Sequence, residues 1–224
     1  MGRPDEMGAG DMDAGEVRPV RGVPVTWMPV RWLTLYARSR QVPASFVALV
    51  ISAAAMRALA GDGAQGFGDA RLPVLVLATG VMAASIGFGG QDLALDRTAA
   101  IRWVPRRAAH VLLAGTVVAA VLLVVQGVGT PVGTSRAVTE FVVRDSSGLT
   151  GLAALGAAFS GGRYAWTLPF AWLSFTFFAP AATSTATRVA TWMLLPAGTA
   201  AGTWTALLLL GVGTAAYAFA GPGR

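Results

Sequence analysis

The longest uncharged stretch of the chain runs from Val189 to Gly223 and contains 35 residues without one Asp, Glu or Arg. A continuous helix of this length would extend for about 52 Å, whereas the hydrocarbon core of a bilayer is about 30 Å thick. Pro196 cannot donate the helical hydrogen bond and disfavours helix before it, so it provides a break. The stretch therefore predicts a short re-entrant segment around Thr183–Leu195, followed by a membrane span at about Gly198–Phe219.

Five further apolar runs precede this stretch. The chain is 54% apolar and only 12% charged, with a mean hydropathy of +0.60, which lies outside the range of soluble domains and places the chain in a bilayer. We therefore predict an all-α integral membrane protein with six transmembrane helices. The first five predicted spans are Val42–Ala60, Pro73–Gly90, Ala108–Gly129, Ser146–Gly162 and Tyr164–Ala179.

The residues before the first span divide into two parts. Residues 1–24 are acidic and rich in Gly and Pro without apolar periodicity, which predicts a disordered cytoplasmic tail ahead of a membrane domain at 25–224. Residues 25–40 read VTWMPVRWLTLYARSR and predict an interfacial helix, with aromatic rings at headgroup depth and guanidinium groups toward phosphate. The alternative is a frayed, basic start to the first span. The predicted interfacial anchors in this helix are Arg31, Trp32, Tyr36 and Arg38.

The distribution of arginine predicts the orientation. With the N-terminus inside, 12 arginines lie on the cytoplasmic side and 5 outside, so both termini are expected in the cytoplasm. The outer connection carries Arg136, Glu140 and Arg144 at i, i+4 spacing, which predicts a short surface helix. The net charge of +6 fits anionic lipid headgroups better than nucleic acid, because the arginines form no continuous stripe.

Missing residue types exclude several kinds of chemistry. All 17 basic residues are Arg, so the chain has neither the Lys of a Walker A loop nor a Schiff-base amine, and we expect no enzyme activity or bound cofactor in this chain. The absence of Cys excludes thiolate nucleophiles and Cys-ligated metals, and a single histidine argues against a metal site. That histidine, His110, fits a pH-sensitive gate, but the favoured interpretation is an ordinary interfacial residue like its neighbours.

The six predicted spans contain no Asp or Glu. A proton-coupled or cation-coupled secondary transporter commonly needs a titratable group at mid-depth in the membrane, and an intramembrane hydrolase needs paired carboxylates or an activated nucleophile. Both classes are therefore disfavoured by the sequence.

The gap between the second and third spans is unusually rich in charge. It reads GQDLALDRTAAIRWVPRRAAH and carries two acids and four arginines in a chain of which only 12% is charged. Residues 92–103 can form a short helix parallel to the membrane, which Pro105 would end, and Arg106 and Arg107 then anchor the next span at the phosphates. A simple topology signal needs only these two arginines, and it leaves the acids and Trp103 unexplained.

The arrangement resembles the membrane permeases of type-2 ABC exporters, with an actinobacterial-like composition, and this resemblance implies a location in a bacterial plasma membrane. The resemblance rests on the interfacial helix, the six runs with both termini inside, the loop QDLALDRTAAIRWVPRR as a cytoplasmic coupling helix between spans two and three, and the re-entrant segment before the sixth span. It covers about residues 25–220.

The resemblance implies that this loop docks on a separate ABC ATPase subunit, which binds ATP and Mg²⁺. It also implies a second six-span permease as homo- or heterodimer partner, and export of an amphipathic, drug-like or peptide cargo. The alternatives are a membrane scaffold or immunity protein without turnover and, less favoured, a secondary transporter. The residues implied in docking are Asp92, Leu95, Asp96, Arg97, Arg102 and Trp103.

Overall fold

A computed structural model of the chain describes residues 46–54, 71–88, 103–128 and 136–223. All of them belong to one compact unit, Tyr36–Arg224. Within these ranges every regular element is a helix, which confirms the predicted all-α class for this part of the chain. The predicted tail, the interfacial helix and the loop 89–102 lie outside the described residues.

Seven α-helices follow one another along the described ranges. Three 3-10 turns accompany them, at Ile86–Phe88, Gly162–Tyr164 and Trp192–Leu194. The helices are α1 (46–54), α2 (Arg71–Ser85), α3 (Trp103–Gly127), α4 (Arg136–Ser160), α5 (Thr167–Phe178), α6 (Thr185–Ala190) and α7 (Ala200–Ala220).

Three of these segments are long and apolar enough to cross a bilayer: Arg71–Phe88, Trp103–Gly127 and Ala200–Ala220. Their outward faces remain strongly apolar, as in Leu113 and Leu208, which are more than half exposed. Helices that are apolar all round are stable only in a core or in lipid, so these segments fit a membrane environment.

Helix α4 lies at the centre of the described structure. It packs against α2, α3, α5 and α7, and its contact with α7 is the most extensive. Many of its buried residues are small, and Leu149 and Leu152 are almost completely buried among them. Small side chains let neighbouring backbones approach closely, which is the usual way for helices to pack where lipid removes the hydrophobic driving force.

Helices α4 and α7 run in the same direction. Arg144 lies beside Gly202, Gly151 touches the backbone at Leu209, and near the far ends of both helices the amide of Gly223 donates to the carbonyl oxygen of Ala157 at 2.9 Å. Helix α5, which lies between α4 and α7 in the sequence, carries the chain back toward the start of α7, where Arg144 lies. The middle of the pair depends on glycine, because a Cβ on Gly213 would collide with the carbonyl of Gly151.

The observed helix ends differ from the predicted ones at two informative places. Pro105 lies inside α3, two residues after its first described residue, and Trp103 belongs to the same helix, whereas the sequence placed Pro105 at the end of a helix over 92–103. Helix α4 begins at Arg136 and continues without a break to Ser160, so the predicted surface helix and fourth span are one helix.

Candidate functional site

Polar and aromatic side chains gather at the two ends of the α4–α7 pair. We call the end that contains Arg144, Leu195 and Pro196 the clamp end, and the end that contains Phe88, His110 and Tyr217 the loop end, because Phe88 directly precedes the charged loop 89–102. Ala157 lies thirteen positions after Arg144 on α4, so the clamp end and the loop end are about 20 Å apart.

Arg144 holds the start of α7 to α4. Its Nη1 donates to the carbonyl oxygen of Pro196 and its Nη2 to that of Leu195, both at 2.9 Å, while Nε donates to Oδ1 of Asp145 at 2.7 Å. All three guanidinium nitrogens are therefore used within the chain. The side chain is only 5% exposed, and the planar fork of Arg suits this simultaneous binding of several acceptors.

Asp145 is completely buried. Its Oδ1 accepts from Arg144, whereas its Oδ2 has no hydrogen-bond partner among the described residues. A buried carboxylate is strongly disfavoured unless it is paired, so the guanidinium of Arg144 is what makes this position tolerable. An ionisable pair inside an apolar helical bundle is expensive and indicates a functional position.

Glycines make room for this clamp. The ring of Trp192 lies directly on Gly148, and Trp192 is completely buried. A Cβ on Gly202 would stand 3.1 Å from Nη1 of Arg144. The turn that Arg144 binds contains Gly198 at φ +78°, a left-handed conformation that favours glycine.

The contacts of Arg144 at the clamp end differ from one prediction. Arg144 was expected on the outer surface, in i, i+4 register with Arg136 and Glu140. The exposed ion pair between Arg136 and Glu140 does form, at 2.8 Å, but Arg144 turns inward to Asp145 instead. Asp145 stands one residue before the predicted fourth span and was not considered as a site. The signal that sequence offers is a pair of adjacent opposite charges at the edge of an apolar run.

The loop end is built around Phe88. Its ring meets His110 edge-to-face with centroids 5.6 Å apart and lies 5.5 Å from the ring of Tyr217. The hydroxyl of Tyr217 donates to the carbonyl oxygen of Phe88 at 2.9 Å. The sequence interpretation treated His110 alone and missed Phe88 and Tyr217, because the three residues come from different helical segments.

Three of the predicted functional residues fall within the described ranges, all in the first turns of α3. Trp103 is half-buried and its Nε1 has no hydrogen-bond partner in the described ranges. Arg106 is exposed, and Arg107 lies against Gly221 at the end of α7. The other predicted docking residues and anchors lie outside the described residues, so the docking assignment stays a prediction.

The described residues contain no group of three or more His, Asp or Glu that could hold a metal ion. The contacts at the loop end hold α7 to the turn that precedes the charged loop, and the contacts at the clamp end hold the start of α7 to α4. Both ends can therefore transmit a movement of α7. No protein-family profile, curated protein or solved structure matches the chain.

Proposed function

We propose that this chain is the membrane half of an ATP-driven exporter of the type-2 ABC class. In this proposal it crosses the plasma membrane six times, with both termini in the cytoplasm, and the segment around α6 dips into the membrane. ATP and Mg²⁺ bind to a separate subunit, because a lysine-free chain cannot form a Walker A loop. A second six-span permease completes the transport path.

The contact between Tyr217 and Phe88 is the observation that carries the proposal. Phe88 is the last described residue before the charged loop, and His110 lies two turns into the helix that follows it. The hydroxyl of Tyr217 on α7 donates to the carbonyl oxygen of Phe88, and the ring of Phe88 meets that of His110 edge-to-face. A displacement of the loop by a bound subunit would therefore act on α2, α3 and α7 together.

Motion of α7 would then reach the clamp end through close contacts. Gly151 touches the backbone of Leu209, and Arg144 binds the two carbonyl groups that precede α7. A chain of packed contacts of this kind can couple distant sites when it has two arrangements that both sites bias. In the proposed mechanism, ATP binding closes the partner subunits, the loops move, and the paired α4–α7 units of two permeases alternate access to an amphipathic cargo.

Co-purification tests the proposal. The reading frames next to the one that encodes this chain are searched for a P-loop ATPase, and absence of one there would count against the proposal. An ATPase found in this way is expressed with the chain, and the complex is reconstituted in liposomes for measurement of ATP turnover. We expect a stable complex that is lost when charges are exchanged in the loop by Asp96→Arg and Arg97→Asp. The matched control, Arg188→Gln, removes an exposed charge from α6 and should leave the complex intact. Absence of any complex would contradict the proposal.

A second variant separates docking from coupling. Tyr217→Phe removes the hydroxyl that bonds to Phe88 without touching the loop. We expect the complex to form normally, while stimulation of ATP turnover by the permease falls. Full stimulation in this variant would show that the Tyr217 contact does not transmit the motion, even if the docking assignment is right.

The burial of Asp145 favours one second candidate, a secondary transporter, because that class uses ionisable groups inside the membrane. Efflux of the dye ethidium from cells distinguishes the two when the Walker A lysine of the partner ATPase is replaced by alanine. Efflux that stops supports the exporter. Efflux that continues and is abolished by Asp145→Asn supports the secondary transporter.

A further inference from the structure

An open groove lies between helices α3 and α7 on the side of the loop end. The groove has a volume of about 400 Å³, within the range of small-ligand pockets, which is about 300–1,000 Å³. Apolar side chains line almost all of it, among them Ala108 and Leu112 on α3 and Leu207 and Phe219 on α7. Such a lining suits a hydrocarbon chain.

The α7 wall of the groove has unfilled space. A Cβ on Gly211 would meet no atom within 4 Å, although Gly213, two residues later, is tightly packed. Thr214 also lines the groove, but its hydroxyl oxygen is buried and is not exposed to a ligand there. The groove therefore accepts an elongated apolar group.

A guanidinium group lies at the loop-end mouth of the groove. Arg107 directly precedes Ala108, which lines the groove, and it reaches across to Gly221 just beyond Phe219. A Cβ on Gly221 would stand 2.8 Å from Nη1 of Arg107, so a side chain there would displace the guanidinium. Gly221 has φ +73°, a left-handed conformation that favours glycine. Because it has no side chain, the guanidinium of Arg107 can lie against it.

The charge at this mouth is not balanced by nearby acids in the described ranges. Arg106, Arg107 and Arg163 lie at the loop end, whereas Glu140 and Asp145, the two acidic residues that the structure describes, belong to the other half of α4 and pair with arginines there. An apolar groove that ends at guanidinium groups complements an amphiphile with an anionic head.

We propose that the groove is a binding site for one anionic phospholipid. Arg107 binds the phosphate, and one acyl chain lies between α3 and α7 over Gly211. This is a discrete site, and it assigns to Arg107 a role that the equally basic neighbour Arg106 does not share. The proposal is independent of the exporter assignment, because it needs no ATPase subunit.

A second copy of the chain fits the groove less well. Two copies in one membrane share the same orientation, so a two-fold contact through the groove would bring both sets of Arg106 and Arg107 to the same level. Like charges at an interface without compensating acids oppose association. An anionic lipid relieves this repulsion, whereas a second copy adds to it.

Native mass spectrometry of the full chain in detergent tests the site. Palmitoyl-oleoyl phosphatidylglycerol is titrated against palmitoyl-oleoyl phosphatidylcholine, and the occupancy of the first bound lipid is measured. We expect a preference for phosphatidylglycerol, which Arg107→Gln weakens about fivefold to tenfold, as expected for the loss of one basic contact with an anionic headgroup. Gly211→Leu fills the groove and should abolish first-site binding of both lipids.

Two matched controls define the site. Arg106→Gln removes the adjacent exposed charge, and Gly127→Leu adds the same side chain at another glycine whose Cβ would meet no atom. Neither variant should change lipid occupancy. Arg107→Gln leaves the apolar walls of the groove unchanged, so the proposal remains testable if Gly211→Leu unfolds the protein.

Several results would overturn the proposal. Equal losses in Arg106→Gln and Arg107→Gln would mean diffuse attraction of lipid to a basic surface. Unchanged occupancy in a folded Gly211→Leu variant would place the acyl chain elsewhere. A shift of Gly211→Leu from dimer to monomer with unchanged lipid binding would identify the groove as a contact between copies. Equal competition by glycerol phosphate would show that only the headgroup is bound.

Discussion

Tyr217 and Phe88 are joined by a buried hydrogen bond of 2.9 Å that spans 129 positions of the sequence. Their rings are also 5.5 Å apart, so the polar and aromatic contacts coincide. This pair fixes the end of α7 to the 3-10 turn that follows α2. It therefore joins the end of α7 to the turn that directly precedes the charged loop.

We expect Tyr217→Phe to lower the free energy of unfolding by about 1 kcal/mol, since a buried carbonyl loses its donor while the ring contact is kept. Thermal unfolding in detergent, followed by tryptophan fluorescence, measures the change. Tyr164→Phe is the control, because Tyr164 is 48% exposed on a 3-10 turn. An equal effect of the two substitutions would contradict the importance assigned to the Phe88 contact.

Removal of Arg144 should be far more damaging than removal of Arg136. Arg144→Met leaves the buried Asp145 without a partner, which typically costs about 3–5 kcal/mol. Arg136→Met disrupts an exposed pair and should change stability by about 0.5 kcal/mol or less. The same unfolding measurement separates the two, and similar losses would mean that Arg144 is not buried as described.

The double variant Arg144→Met, Asp145→Leu should be more stable than Arg144→Met alone. It removes the unpaired charge together with its partner, and apolar replacements of buried ion pairs are often well tolerated. A double-mutant cycle, which compares the wild type, the two single variants and the double variant, then yields the coupling free energy between the two side chains. A double variant less stable than the single one would show that the contacts of Arg144 with Leu195 and Pro196 dominate instead.

Gly213 and Gly211 should respond oppositely to alanine. Gly213→Ala forces a methyl group against the carbonyl of Gly151, and overpacking of this kind costs about 1–3 kcal/mol. Gly211→Ala adds a methyl group in open space and should gain up to about 1 kcal/mol from helix propensity. Unfolding of both variants in one detergent tests the register of α4 and α7, and equal effects would be incompatible with it.

The proposed orientation predicts opposite accessibility for two introduced cysteines. Ala99→Cys should react with a membrane-impermeant maleimide only from the cytoplasmic side, and Gly63→Cys only from the outside. The chain has no cysteine of its own, so no background labelling interferes. Labelling of both positions from the same side of intact cells would refute the topology.

Sequence patterns predicted the helical runs well because apolar composition is a local property. The described helices Trp103–Gly127 and Ala200–Ala220 lie within a few residues of the predicted third and sixth spans. Pro196 falls outside any helix, between the turn Trp192–Leu194 and α7. Proline chemistry and hydropathy depend on few neighbours, so one sequence carries them in readable form.

The position of Arg144 was not predictable in the same way. Its i, i+4 spacing from Glu140 is a local pattern typical of a surface helix. Its actual acceptors, the carbonyl groups of Leu195 and Pro196, lie 51 and 52 positions away. Burial here depends on how the segment before α7 folds back over α4, and the short-range charge pattern contains no information about this.

The glycine contact between Gly151 and Gly213 has a consequence for any motion of the bundle. With the backbones interlocked there, Arg144 holding one end and Gly223 bonded to Ala157 at the other, α4 and α7 are able to tilt as one body but not to slide along each other. A conformational change that opens a path must therefore run along the outer faces of this pair, where α2, α3 and α5 lie.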